Sequence, residues 1–195
     1  KMDNVLDGLL KAFVGESQAR NRYTFFAGIA KKEGYEQVSE VFTLTADNER
    51  EHASWFYKMI KEVADKQGED LKSLKTQTDV PFTMGKTPEN IQSAIDGETH
   101  EYTTMYPEIA ALAKKEGFVQ VSARILSIAE AEKHHAERYS KLIENFVKGT
   151  IFEKEESVWW MCRECGYIHF GKKAPEICPS CGHAKAFYQM LSENY

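Results

Sequence analysis

Between positions 4 and 147 the apolar residues recur every three or four places, as they do on the buried face of an α-helix. A first helix carries Leu6, Leu9, Phe13, Glu16, Arg20, Tyr23 and Ala27 on one face. A second carries Val38, Phe42, Thr45, Glu49, His52, Phe56, Met59 and Val63. A fourth carries Val121, Ile125, Ile128, Glu132, His135, Tyr139, Leu142 and Phe146. Alternating steps of four and three make the seam of a bundle helix. The third is expected to start at Thr87-Pro88, with Thr87 as N-cap and Pro88 at the first helical position, and to carry Ile91, Ile95, Glu98, Glu101 and Tyr106. Gly34 and Gly117 suit the left-handed position just past a helix, so the first two helices form one tight hairpin and the last two another.

The hairpins are copies. AKKEGYEQVS (30–39) returns as AKKEGFVQVS (113–122), an offset of 83 that also carries Glu49 and His52 onto Glu132 and His135, and Tyr23 onto Tyr106. Gly15-Glu16 returns as Gly97-Glu98, an offset of only 82. One extra residue therefore lies between Glu98 and Tyr106, and a helix commonly absorbs such an insertion as a π-bulge. Glu101 sits inside that interval and is expected to turn toward the bundle interior, with an i→i+5 bond somewhere between 98 and 107. Pro107 would loosen the same helix. Residues 65–90 form one long link between the hairpins, and four helices with one long crossover describe a ferritin-like bundle. Whether both hairpins of a bundle come from one chain stays open.

The seams contain an anomaly. Glu16, Glu49, His52, Glu98, Glu132 and His135 stand where a bundle core calls for Leu or Ile. A buried carboxylate without compensation costs several kcal/mol. Glu49-x-x-His52 and Glu132-x-x-His135 each project Glu and His from one helix face, and Glu16 and Glu98 add one carboxylate from the other helix of each hairpin. This is the pattern of a two-metal carboxylate site, and mixed carboxylate and imidazole donors suit Fe or Mn. Spacing alone leaves the role of Glu101 open. Tyr23 and Tyr106 lie two turns from Glu16 and Glu98, placed either to pack in the core or to hydrogen-bond a ligand carboxylate. His100 and His134 lie off the seams and read as surface residues.

All four cysteines fall near the C-terminus as Cys162-x2-Cys165 and Cys178-x2-Cys181. Such spacing marks a tetrahedral four-thiolate metal site, with a structural zinc ribbon as the general expectation and iron the alternative. Gly166 and Gly182 follow the second cysteine of each pair and allow the backbone to turn N–H groups toward the sulfurs, which would tune an iron centre. Trp159, Trp160, Tyr167, Phe170, Phe187 and Tyr188 supply an aromatic core. The formal net charge of −5 offers no basic footprint for nucleic acid. No apolar run is long enough to span a membrane and no cleavable leader is visible, so a cytoplasmic protein is the expectation.

The segments GESQARNRY (15–23), ADNEREH (46–52), GETHEYTTMYP (97–107), AEAEKHH (129–135), CRECGY (162–167) and CPSCG (178–182) make the chain resemble the rubrerythrin family over essentially its whole length. The resemblance implies a mainly α protein: a ferritin-like di-iron four-helix bundle over 1–148, a linker over 149–157 and a β-rich rubredoxin-like iron domain over 158–195. It implies iron ligands Glu16, Glu49, Glu98, Glu101, Glu132 and His135, and a His52 that replaces Glu101 on one iron when the site is reduced. Tyr23 and Tyr106 match tyrosines that hydrogen-bond ligand carboxylates, and Cys162, Cys165, Cys178 and Cys181 match the ligands of the single iron. Arg163-Glu164 departs from the pair common in stand-alone rubredoxins without touching a ligand. The implied activity is reduction of hydrogen peroxide to water in oxidative-stress protection; a ferroxidase or O2-reducing protein is the alternative. Electrons would come one at a time through the cysteine iron from an external NAD(P)H-dependent rubredoxin reductase or rubredoxin, since no GxGxxG follows a strand here. The short charged linker KGTIFEKEES is expected to direct the module to a neighbouring subunit, in a homodimer or larger assembly.

Overall fold

The computed structural model describes Met2 and residues 4–193. Helix α1 (Val5–Lys32) opens on Asn4, whose side-chain oxygen accepts from the Asp7 N–H at 2.9 Å, and ends at Gly34 with φ 84°. There the Gly34 N–H donates to the Lys31 carbonyl at 3.1 Å and the Tyr35 N–H to the Ala30 carbonyl at 2.9 Å, the paired bonds of a Schellman end. Helix α2 (Glu36–Gln67) starts at once. The repeated segment repeats the geometry: Gly117 has φ 88°, the Phe118 N–H reaches the Ala113 carbonyl at 2.8 Å, and helix α5 (Val119–Val147) follows.

Helix α3 (Thr87–His100) begins one residue earlier than expected: Lys86 is the cap and Thr87 is already helical. Two carboxylates explain the shift. Glu89 accepts from the Lys86 N–H at 2.8 Å and Glu33, in the turn after α1, accepts from the Thr87 N–H at 2.9 Å, so the free amides of the first turn need no capping hydroxyl. From Glu101 to Met105 the chain makes a π-helical turn, with the Tyr106 N–H on the Glu101 carbonyl, before helix α4 (Tyr106–Lys115) resumes the ordinary period. The extra residue inferred from the repeat offsets is absorbed at this turn.

Both hairpins belong to one chain and share its core. One apolar cluster joins Leu9, Phe56, Val63, Ile109 and Ile125. A second joins Phe26, Phe42, Ile91 and Tyr139. No helix among the described residues is long and apolar enough to cross a membrane.

The C-terminal module is an antiparallel sheet in the order β2-β1-β3, from β1 (Glu153–Cys162), β2 (Ile168–Lys173) and β3 (Tyr188–Met190). Strand β1 starts inside the stretch 149–157 read as a linker, because Glu153 pairs with Lys173 before a bulge interrupts the register up to Val158. Trp160 is buried at the centre, its indole N–H donating to the Gly171 carbonyl at 2.9 Å. The module rests on its own bundle: Phe152 stacks on Tyr35 with centroids 6.1 Å apart, and Arg163 pairs with Glu40 on α2 at 2.6 Å.

Candidate metal centres

Between the two apolar clusters lies a layer of fully buried carboxylates: Glu16, Glu49, Glu98 and Glu132 are each at most 1% exposed, and His135 is 4% exposed. The heptad steps that face Phe42 and Phe56 inward on α2 also face Glu49 inward, which is why a core position carries a charge. Two donor groups result. Glu16, Glu49, His52 and Glu132 converge within 4.8 Å, and so do Glu49, Glu98, Glu132 and His135. Glu49 and Glu132 belong to both, as carboxylates that bridge two cations would.

Whether the donors suit metal is decided by their unmet atoms. The His52 Nδ1 lies 2.7 Å from Glu132 and 3.2 Å from Glu49. The His135 Nδ1 lies 2.8 Å from Glu132, 3.2 Å from Glu49 and 3.5 Å from Glu98. Yet Glu16 Oε2, Glu49 Oε1, Glu98 Oε2, both Glu132 oxygens and the His135 Nδ1 lack an aligned hydrogen-bond partner. Buried polar atoms are almost always satisfied. Atoms that crowd together without aiming at one another are placed as ligands around shared interior points, and their oxygen and imidazole chemistry fits iron.

Protons show the same strain on charge when no cation balances it. Burial, then Glu132 and Glu49, raises the Glu16 carboxyl well above its usual range. Burial, then Glu49, pushes Glu98 up to about 8. Burial works to raise Glu49 as well, but the His135 and His52 rings beside it, each with its Nδ1 3.2 Å away, outweigh it and hold that carboxyl at about 2. Burial opposes charge on His135, while Glu132, Glu49 and Glu98 carry it up to about 11. His52 rises for the same reason, with Glu132 and Glu16 the leading partners.

The tyrosines cross over. Tyr23 of α1 donates to Glu98 of α3 at 2.5 Å, and Tyr106 of α4 donates to Glu16 of α1. Each supports the carboxylate of the other hairpin, because α1 and the third helix run in opposite directions and bring each tyrosine level with the other's glutamate. Burial and the neighbouring carboxylates raise both phenols well above their ordinary value, so they remain donors.

Glu101 joins neither donor group. It lies on the π turn with its carboxyl beside Gly15, where burial, then Glu98 and Glu132, raises it and Arg22 opposes. His100 and His134 are exposed. Tyr139 is a third buried phenol at this site, its ring 5.8 Å from Tyr23 and 5.1 Å from Phe42. Its signal was present in the repeat, which sets Phe56 against Tyr139: the hydroxyl is what breaks the symmetry.

In the C-terminal module the sulfurs of Cys162 and Cys181 are 3.7 Å apart, as are those of Cys165 and Cys178. A tetrahedron with metal–sulfur bonds of ~2.3 Å has an edge of about 3.8 Å, so the four thiols are already spaced for one metal ion. No disulfide joins them. Gly166 and Gly182 take φ 77° and 76°. Their own N–H groups close the knuckles onto the Cys162 and Cys178 carbonyls, and it is the amides of Cys165 and Glu164 that face the Cys162 sulfur. Burial raises the Cys178 thiol, but the Tyr188 hydroxyl and the amides of Cys181 and Ser180 more than offset it and bring it down to about 6.

Comparison with known proteins places these features in a lineage. Residues 7–143 match the family model for rubrerythrin, and residues 160–189 match the rubredoxin-like domain of rubrerythrin. A putative rubrerythrin of Methanocaldococcus jannaschii is 48% identical, covering 100% of this chain and 96% of its own. Rubrerythrin-1 of Clostridium acetobutylicum is 46% identical over 97% of this chain and 95% of its own. Among solved structures, fully reduced all-ferrous nigerythrin aligns with TM-score 0.65 and 28% identity over 98% of this chain and 88% of that one. A di-iron bacterioferritin of Desulfovibrio desulfuricans, 22% identical with TM-score 0.65 over 74% of this chain and 80% of its own, shares the bundle fold.

Proposed function

The chain belongs to the rubrerythrin family, and on that footing we propose that it reduces hydrogen peroxide to water. Its electrons come one at a time through the four-cysteine iron, from an external NAD(P)H-dependent rubredoxin reductase or rubredoxin. The observation that carries the reading is the pairing in one chain of a two-iron carboxylate–histidine site with a one-iron cysteine site. A bundle that only oxidised and stored iron would have no use for a one-electron thiolate centre.

Two ferrous ions, when bound, supply both electrons and the Lewis acidity that O–O cleavage requires. The protein's part is to hold and adjust them. Glu49 and Glu132, common to both donor groups, are the carboxylates that would hold both ions. His52 stands in the Glu16 group while Glu101 waits beside it on the π turn. An exchange of these two side chains would let the site follow its change of charge without moving a helix. Tyr23 and Tyr106 hold Glu98 and Glu16 in ligand orientation by donating to their second oxygens.

A homodimer is part of the proposal. Glu40, which holds Arg163 next to Cys162, is roughly 14 Å along the helix axis from Glu49 at 1.5 Å per residue. A second copy would offer its bundle to the exposed side of the module. The reading includes a cytoplasmic setting, where thiolates stay reduced. Stopped-flow oxidation of the fully reduced protein tests the substrate: peroxide should react faster than O2. Faster reaction with O2, or net iron mineralisation, would overturn the assignment in favour of an oxidase or ferroxidase.

A further inference from the structure

The cysteine module holds one buried polar group that the proposed function leaves without a task. Tyr188 opens β3, is 1% exposed, and pairs in register with Cys162 of β1. Its ring packs in the module core with Trp160, Ala174, Cys162 and Cys178. A buried phenol ordinarily finds a partner for its hydroxyl, yet this one has no hydrogen-bond partner. The Cys178 sulfur is the polar group beside it in that core. With a neutral thiol the contact stops short of full hydrogen-bond alignment. Metal binding removes the thiol proton, and the hydroxyl then faces a thiolate, a far stronger acceptor.

We propose that the Tyr188 hydroxyl donates a hydrogen bond to the Cys178 thiolate and thereby raises the reduction potential of the four-cysteine iron. Adding one electron leaves the four thiolates more negative, so a donor aimed at sulfur stabilises the reduced form more than the oxidised one. One electron enters, no bond forms or breaks, and the proton stays on the tyrosine oxygen. The backbone amides around the knuckles act in the same direction, and the hydroxyl is a side-chain addition to them. Its effect is strengthened by position: Cys178 is 1% exposed, and a hydrogen bond in such a dry site is screened little. Tyr188 is thus a positioning residue for redox tuning, and the inference stands on the cysteine iron alone, whatever the bundle reduces.

Tyr188→Phe removes the hydroxyl and keeps the ring. The full-length, iron-loaded protein is titrated spectroelectrochemically, following the thiolate-to-iron charge-transfer band. At a fixed poise the ratio of oxidised to reduced iron should rise about tenfold, a fall of about 59 mV for a one-electron couple. Tyr167→Phe deletes a hydroxyl from a residue 36% exposed and should shift the ratio by less than about twofold. An unchanged midpoint in Tyr188→Phe, or equal shifts in both variants, overturns the proposal. Should Tyr188→Phe fail to retain iron, ring fluorination of Tyr188 keeps the side chain and makes it a more acidic donor. The potential must then rise above that of the unmodified protein, and a potential that stays level or falls also overturns it.

Discussion

Removing the bundle metals should make the protein lose stability as pH rises from about 4.5 to 8, and restoring two divalent cations should abolish that loss. Glu98 carries the argument. In the metal-free chain its folded value, about 8, lies above the ordinary 4.5 because burial and Glu49 oppose its charge. The folded state therefore binds a proton that the unfolded state has already released across that window, so stability falls with rising pH. A shift of this size corresponds to about 5 kcal/mol at 1.36 kcal/mol per unit. Glu16 and Glu101 shift the same way, and the raised histidines add to the trend above their ordinary 6.5. Glu49, held at about 2, contributes in the opposite sense only below its ordinary 4.5, where its stabilisation is lost as pH falls. For a chain of this length, about 5 kcal/mol translates into a Tm drop of roughly 10–20 °C. Helical circular dichroism of the stripped protein, melted at pH 5 and pH 8, measures it; Mn(II)-loaded protein serves as the redox-silent control. A stripped bundle as stable at pH 8 as at pH 5 would show that the carboxylates do not face one another uncompensated, and the two-cation reading of the core would fall with it.

Three further outcomes are expected. Cys178→Ser should abolish turnover with an external reductant while leaving one peroxide-driven oxidation of the pre-reduced bundle intact, which stopped-flow absorbance separates from steady-state assay. Tyr23→Phe leaves a Glu98 oxygen without its donor and should weaken metal binding about 10- to 100-fold, measured by competition with a chelator; an unchanged affinity would remove Tyr23 from the site. Deleting Thr103 should convert the π turn to ordinary helix, keeping Glu98 and Tyr106 in register but turning Glu101 away. Metal content should then hold while peroxide oxidation slows about 10- to 100-fold, and an unaltered rate would deny Glu101 its part in the exchange.

The amino-acid sequence by itself determined whatever depends on separation along the chain. The three- and four-residue period set the helices, AKKEG set both Schellman turns, and paired Glu-x-x-His set one face of α2 and of α5. Even the π turn at Glu101–Met105 was readable, because an offset of 82 beside one of 83 leaves a helix one residue to absorb. Local hydrogen bonds and helical phase follow from the order of residues alone. Tertiary structure decided the rest, since it turns on distances across elements. Only packing shows that Glu49 and Glu132 are shared, that His52 stands in the donor group while Glu101 stands outside it, and that each tyrosine reaches the opposite hairpin's glutamate. Strand β1 begins early because Glu153 finds Lys173, and Tyr188 meets Cys178 because β3 pairs beside Cys162. Those contacts join residues far apart in sequence, whose meeting is set by the antiparallel fit of helices and the register of strands.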